Sequence, residues 1–147
     1  MTTRKELSEI EEARADHTDL MRAALEGDTA TVRELLARGV DANAKDDEGR
    51  TALMFAVINM HPDTAGELLE HGADVNATAN DGATALMLAA SSGDQESVRT
   101  LLRKGADSAA KYFRSGETAL TLAKKNNHSE IVDLLSADRS QAAGSNS

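Results

Sequence analysis

The stretch TALMFAVINMHPDTAGELLEHGADVNATANDGA, residues 51–83, decides the fold because similar stretches lie on both sides of it. Its first six residues, TALMFA at 51–56, have counterparts in TDLMRA at 18–23, TALMLA at 84–89 and TALTLA at 118–123. The first two intervals between these starts are equal, and the last is longer by a single residue. Repetition with a nearly fixed period of this length is typical of a solenoid, in which each unit is one supersecondary element. The sequence therefore predicts an array of similar, stacked units.

Two short helices are predicted within each unit. Leu53 and Ala56 are three residues apart and place an apolar stripe on a first helix. Val32, Leu35 and Leu36 have the i, i+3, i+4 spacing of a second helix. Helices of this length are not stable alone, so we expect each to depend on packing against its neighbours.

Glycines, one asparagine and the single proline predict where the helices end and begin. Gly27 and Gly93 are expected to end first helices in the left-handed conformation, and Asn127 takes the same place in the last unit because it also tolerates a positive φ. Pro62 is placed at the start of a second helix, where its missing N–H costs nothing. The second helices are expected to stop at glycines that recur with the period of the repeat: Gly39, Gly72 and Gly105.

These motifs resemble the ankyrin repeat. TAL-x-x-A corresponds to that family's TPLH-x-A, and it is accompanied by GVDANA at 39–44, GADVNA at 72–77 and a degenerate GADSAA at 105–110. Alanine replaces the family's Pro, and Met54 and Met87 replace its His. The resemblance implies an all-α ankyrin-repeat solenoid of paired antiparallel helices with short β-turn fingers between repeats.

The period and the resemblance divide the chain into three parts. Residues 1–17 are predicted to form an N-terminal capping helix that starts at Thr3 and lies against the first repeat. The tail 138–147 is predicted to be disordered because it has little to bury. Arg22 and Ser136 put polar residues at core positions of the terminal repeats, as the exposed ends of a solenoid require. The four repeats are expected at 18–50, 51–83, 84–117 and 118–137.

The composition agrees with closely packed helices. Apolar residues make up 40% of the chain and charged residues 28%, which argues against disorder over most of its length. The apolar set is dominated by 26 Ala and 16 Leu, with three aromatic residues and no Trp. Such a core is expected to be thin.

Charge and cysteine content exclude several kinds of function. The net charge of −9 disfavours binding to nucleic acid or to an anionic membrane surface. The absence of Cys excludes disulfides, thiolate zinc sites and cysteine nucleophiles. The first residues alternate in charge and lack the apolar stretch of a signal peptide, and the longest apolar run, 52–58, is too short to span a bilayer. We expect a cytoplasmic monomer that binds neither nucleic acid nor membrane.

The histidines form no catalytic or metal-binding pattern. His61 and His128 precede second helices, at the place that Asp28 and Asp94 hold in the other repeats, so we predict a structural role at helix starts. No pair has HExxH spacing, and the acidic run Asp46, Asp47, Glu48 lacks the spacing of a calcium loop. We therefore expect no catalytic residue, no cofactor and no metal.

The resemblance also implies where a partner binds. Ankyrin proteins bind mainly with the fingers and with the exposed side of the first helices, and stacked repeats leave an extended concave face for docking. Carried onto this sequence, the partner-binding positions are Lys45, Asp47, Glu48, Arg50, Ile58, Asn59, Thr78, Asn80, Asp81, Ser91, Ser92, Lys111, Tyr112, Phe113, Arg114 and Lys125.

The third finger differs from the other two. The one extra residue of the third repeat lies between Gly105 and Gly116, in a finger that also holds Tyr112 and Phe113, two of the three aromatics. Aromatic side chains dominate binding hot spots because they exclude water over a large area. We hypothesise that both anchor a partner; the alternative is that one packs back onto the neighbouring finger or the fourth repeat.

Charge is divided unevenly along the chain. Residues 1–99 carry 9 basic and 20 acidic side chains, a net charge of −11, whereas 100–147 carry 7 and 5, a net charge of +2. In one interpretation, this uneven charge steers an approaching partner by electrostatic attraction. In the other, the charged side chains form a solvated surface that only keeps the array soluble.

The sequence predicts a non-enzymatic protein–protein interaction module, an adaptor or scaffold, whose protein partner it does not identify. The alternatives are a self-associating structural unit, with Ile58, Phe113 or a terminal helix at a symmetric contact, and a small enzyme that uses His and carboxylates on the concave face.

Overall fold

The helices follow the repeat in four pairs. The computed structural model describes residues 1–144, with side chains described as far as Asp138. Within these residues it contains eight helices and no strand: α1 Arg4–Glu26, α2 Thr29–Ala37, α3 Ala52–Ile58, α4 Pro62–Glu70, α5 Ala85–Ser92, α6 Gln95–Arg103, α7 Ala119–Lys125 and α8 Ser129–Gly144. The predicted all-α solenoid of paired helices is confirmed.

The pairs stack in two layers. Helices α1, α3, α5 and α7 form an inner layer in which each contacts the next, and α2, α4, α6 and α8 form an outer layer in the same way. Ala24, Ala56, Ala90 and Ala123 are completely buried on the inner helices, where their small side chains let neighbouring helices approach closely. Leucines fill the space between the layers, as Leu68 and others do at less than 2% exposure.

Threonine begins three of the inner helices. Thr51, Thr84 and Thr118 have extended backbone, and each hydroxyl oxygen accepts a hydrogen bond from the N–H three residues later. This is the N-cap arrangement that satisfies one of the free amides of a first turn. Thr3 caps α1 in the same way as predicted, with Glu6 completing a capping box.

The starts of the outer helices alternate between two arrangements. Asp28 and Asp94 cap α2 and α6, and the hydrogen bonds that Asp28 accepts from Thr31 lower the pKa of its carboxyl group. His61 stands at the N-cap of α4 but makes no side-chain cap bond. Its Nε2 instead contacts the Leu25 carbonyl of the preceding repeat at 3.1 Å. The predicted helix-start role of His61 is therefore corrected to a bridge between repeats.

The fourth repeat uses the same bridge. Nε2 of His128 lies 3.1 Å from the carbonyl oxygen of Ser91 in the third repeat. The amides of Asn59 and Asn126 add parallel hydrogen bonds to the Leu25 and Ser91 carbonyls, at 2.9 and 3.3 Å. Histidine and asparagine thus fasten the second repeat to the first and the fourth to the third.

Positive φ recurs where the inner helices end. Gly27, Gly93 and Asn127 have φ values of 73°, 84° and 62°, as the sequence predicts. Met60 occupies the equivalent place in the second repeat with φ 60°, which the sequence does not predict. The left-handed conformation costs a non-glycine residue about 1–2 kcal/mol. The turn is closed as at a helix end of this kind, because the next residue, His61, donates its N–H to the Ala56 carbonyl.

The N-terminal capping helix over 1–17 stays a prediction, and the structure places this segment at the start of a longer helix. Helix α1 runs without a break from Arg4 to Glu26, and residues 4–15 are exposed and do not lie against the first repeat. The stretch contains neither Gly nor Pro to end a helix. Thr18 does not cap a new helix; its hydroxyl donates to the Arg14 carbonyl at 3.0 Å within the same helix.

At the other end, α8 continues to Gly144. The expected repeat boundary at 137 therefore lies within a helix. The predicted disorder of the tail 138–147 stays a prediction, and residues 145–147 lie outside the described residues.

Gly66→Ala is expected to stabilise the protein by about 1 kcal/mol and to raise its melting temperature by about 3 °C. Gly66 lies inside α4, and a Cβ added there meets nothing within 4 Å, so Ala gains helix propensity without a clash. Thermal unfolding measures the change. Gly72→Ala is the control and should be destabilising, because Gly72 has φ +92°. A loss of stability in Gly66→Ala would contradict the open position of this residue.

Candidate functional site

Three loops project between successive repeats at the start of the inner helices, and we call them finger one (45–50), finger two (78–83) and finger three (111–117). Fingers one and two are closed by backbone hydrogen bonds across four residues, from Asp46 N–H to the Arg50 carbonyl and from Ala79 N–H to the Ala83 carbonyl. In finger three the bond from Tyr112 reaches Glu117, five residues on. The extra residue of the third repeat therefore lies in this finger, as predicted.

The fingers are fastened to one another. Asn80 donates its backbone N–H to the Glu48 carbonyl at 2.9 Å and its amide to the Asp47 carbonyl at 3.0 Å. Phe113 donates its N–H to the Asp81 carbonyl at 3.0 Å. Lys45 adds a bond from Nζ to the Thr78 carbonyl. These bonds hold the three loops in fixed positions before any partner binds.

Two glycines make this close stacking possible. Gly49 and Gly82 both have positive φ, at 77° and 92°. A Cβ added at Gly49 would lie 2.5 Å from Oδ1 of Asn80. One added at Gly82 would lie 2.8 Å from the Phe113 ring and 2.9 Å from the Lys111 carbonyl oxygen. Fingers two and three therefore each rest on the glycine of the finger before them.

Finger one carries a compact charged cluster. Nε of Arg50 lies 2.8 Å from Asp46, and Nη1 lies 3.2 Å from Glu48. The guanidinium also stacks over the Phe55 ring, 4.9 Å from its centroid. Partial burial raises the pKa of Asp46, but hydrogen bonds from Arg50 and from the Glu48 N–H outweigh it, so the pKa is lowered from its ordinary value.

A groove of about 340 Å³ lies between the fingers and the inner helices, and we call it the interfinger groove. It joins side chains of all three fingers with side chains of the inner helices α3 and α5. Charged groups of fingers one and two stand at its rim, and apolar side chains form its floor. Its lining is Glu48, Arg50, Met54, Ile58, Ala79, Asn80, Asp81, Ala83, Leu88 and Tyr112.

The two aromatic residues of finger three have different environments. Tyr112 is half-buried and packs against Met54, Ala79 and Ala83, so it forms a wall of the interfinger groove. Burial raises the pKa of its hydroxyl, and the carboxylates of Asp81 and Glu117 raise it further. Tyr112 therefore packs back onto the neighbouring finger, the alternative considered from the sequence.

Phe113 is 70% exposed. It lies with Arg114 in a shallow depression that also includes Asn80 and Asp81 of finger two. An aromatic ring that is exposed to this extent, on a loop whose backbone is fixed by hydrogen bonds, is available for contact with another molecule.

The structure brings six of the predicted partner-binding residues together in the interfinger groove: Glu48, Arg50, Ile58, Asn80, Asp81 and Tyr112. Others make contacts elsewhere. Asn59, Ser91 and Ser92 take part in hydrogen bonds between repeats at the ends of the inner helices. Lys125 pairs with Glu117 at 3.3 Å, and Lys111 is exposed.

Met54 and Leu88 line the groove but were not among the predicted residues. The repeat pattern places Leu88 at the core position that Phe55 fills in the second repeat, and both side chains are in fact only partly buried. Met54 is almost completely buried and contributes to the floor. The one sequence feature that could have indicated the role of Met54 in the groove is that it replaces the His of the ankyrin motif.

Two further features bear on function. Among the described residues, no group of three or more His, Asp or Glu side chains is arranged to hold a metal ion. None of the helices in that part of the chain combines the length and the apolar character needed to cross a membrane.

Comparison with known proteins gives one family. A family model described as ankyrin repeats (3 copies) matches residues 20–112. No curated protein matches the chain.

Proposed function

Because the chain belongs to the ankyrin-repeat family, whose repeats are generally protein–protein interaction modules, we propose that it is an adaptor that binds a protein partner on its concave face. The family is typically non-enzymatic, and the proposal adds no catalytic role. The proposed adaptor is a cytoplasmic monomer, and its net charge of −9 disfavours binding to nucleic acid.

One observation carries this proposal: Phe113 is 70% exposed on a finger whose backbone is bonded to the finger beside it. A rigid, exposed aromatic side chain costs little entropy when it becomes buried in an interface. The apolar floor of the interfinger groove lies next to it and supplies further area. Phe113 is therefore the proposed anchor, and Tyr112 supports it.

Phe113→Ala is expected to reduce recovery of the partner at least tenfold while the melting temperature stays the same within error, because this side chain is exposed. Affinity capture from the native lysate, with quantification of the bound protein, measures the effect. Glu34→Ala, which removes an exposed side chain from the outer helix α2, is the control. Equal recovery by the wild type and Phe113→Ala would refute the anchor.

Self-association is a second candidate function, and the exposed half of α1 favours it. Leu7 and Ile10 are 49% and 50% exposed, three residues apart on a helix face. If two copies pair antiparallel, Leu7 of each lies against Ile10 of the other, and Arg4 lies opposite Glu11. This arrangement buries Leu7 and Ile10 of both copies. It also forms two ion pairs, because Arg4 of each copy faces Glu11 of the other.

Light scattering across a dilution series tests this second candidate. A stable dimer that Arg4→Glu disrupts and the added Glu11→Arg change restores would support the antiparallel pairing. A monomer at every concentration would refute it. The small-enzyme alternative has less support, because His61 and His128 are engaged with backbone carbonyls of neighbouring repeats.

A further inference from the structure

The floor of the interfinger groove is suited to an apolar side chain. Leu88 and Tyr112 are partly buried and Ile58 is 36% exposed, so each presents apolar surface to the opening. Met54 and Ala83 lie beneath them and are almost fully buried. Covering this floor with an apolar side chain removes that surface from water, which favours binding. A volume of about 340 Å³ has room for a short segment of chain.

The rim of the groove is acidic. It holds the carboxylates of Glu48 and Asp81 and the guanidinium of Arg50. The guanidinium is already paired with Asp46 and Glu48 and stacked on a ring, so its charge is locally compensated.

Among the described residues, the negative charge of Asp81 is not compensated by a neighbouring cation. Its carboxylate forms no ion pair within the part of the chain that the structure describes, whereas the carboxylates of Asp46 and Glu48 both pair with Arg50. Oδ1 of its carboxylate accepts from the Ala83 N–H at 3.0 Å, and this bond fixes its orientation at the rim. The raised pKa of the nearby Tyr112 hydroxyl, which is due to burial and then to Asp81 and Glu117, is consistent with a negative potential here.

We propose that the interfinger groove binds a segment of the partner in which an apolar side chain stands next to Lys or Arg. The apolar side chain covers Leu88 and Ile58, and the basic side chain pairs with Asp81 at the rim. This inference rests on the proposed protein-binding function and adds to it the chemistry that the partner must present.

Three synthetic peptides test the proposal, with the central pairs Leu-Lys, Leu-Glu and Ser-Lys inside the same glycine–serine flanks. Binding is followed by titration of each peptide into the ¹⁵N-labelled full chain, with the amide signals of Asp81, Ala83 and Leu88 as reporters. Leu-Lys is expected to bind about fivefold more tightly than Leu-Glu, the preference that one partly exposed charge pair provides. It is also expected to bind more tightly than Ser-Lys, because serine cannot cover the apolar floor.

Asp81→Asn is the informative variant, because Asn retains an oxygen that accepts from the Ala83 N–H and loses only the charge. It is expected to remove the preference for Leu-Lys over Leu-Glu. Glu96→Gln makes the same change of net charge on the exposed outer helix α6, and it should leave the preference intact.

Equal affinity for Leu-Lys and Leu-Glu, equal affinity for Leu-Lys and Ser-Lys, or an equal loss of preference in both variants would each overturn the groove proposal. So would the absence of shifts at the three reporter amides. The proposed function is judged separately, because Phe113→Ala measures partner recovery without reference to these peptides. If Phe113→Ala lowers recovery while the peptides show no preference, the adaptor role stands and the groove chemistry falls.

Discussion

Leu86→Ala is expected to lower the free energy of unfolding by about 3 kcal/mol. Leu86 is 1% exposed on α5, which lies between α3 and α7 in the inner layer and also packs on α6. The substitution removes buried apolar atoms and leaves a cavity at the centre of the stack. Because each repeat is stabilised only by its neighbours, a defect in this helix weakens the interfaces on both sides of it.

Chemical denaturation followed by circular dichroism measures this loss. Leu7→Ala provides a matched control, since it removes the same atoms from a side chain that is 49% exposed on α1, and it should change the free energy of unfolding by less than about 0.5 kcal/mol. Comparable losses in the two variants would mean that the exposed half of α1 is packed in solution.

Gly82→Ala is expected to cost about 3 kcal/mol and to displace finger three. The left-handed φ of 92° accounts for about 1–2 kcal/mol. The remainder comes from the new Cβ, which would lie 2.8 Å from the Phe113 ring and 2.9 Å from the backbone oxygen of Lys111. A backbone atom cannot rotate away as a side chain can, so the finger must move.

Gly105→Ala separates the two contributions. Gly105 has the same φ of 92°, but a Cβ added there meets nothing within 4 Å. Denaturation should therefore show a smaller loss, about 1–2 kcal/mol, and partner recovery should remain normal. For Gly82→Ala, recovery should fall as it does in Phe113→Ala. Identical losses of stability in the two glycine variants would show that finger three does not rest on Gly82.

The sequence predicts well what belongs to one repeat. The helix positions, the left-handed Asn127, the caps and the additional residue of finger three all follow from local rules applied in register. Where the repeats differ, the same rules fail. Met60 adopts a positive φ at the end of α3, where Gly27, Gly93 and Asn127 stand in the other repeats, although the residue itself disfavours it.

Contacts between repeats were the features that sequence reasoning missed. His61 stands where aspartates cap helices, and only the position of the preceding repeat shows that its ring instead reaches the Leu25 carbonyl. The repeat pattern places Leu88 at a core position, whereas its side chain is only partly buried and lines the groove. The continuity of α1 was missed because Thr18 matches the capping threonines of the other repeats and yet lies inside a helix.

His and Asp alternate before the outer helices. The interfaces between successive repeats, which we call seams, are therefore joined by different hydrogen bonds. Imidazole bridges join the second repeat to the first and the fourth to the third. In the third repeat Asp94 takes the equivalent place and caps its own helix, α6. At the central seam the corresponding ends of the inner helices meet through the Ser92 hydroxyl and the Ile58 carbonyl, at 3.4 Å.

The central seam is also held by the 2.9 Å ion pair of Lys104 with Glu70 and by the backbone bond from Phe113 to Asp81. The interfinger groove therefore spans the one seam at which neither histidine bridge lies, and its two sides are joined by an ion pair and by backbone instead.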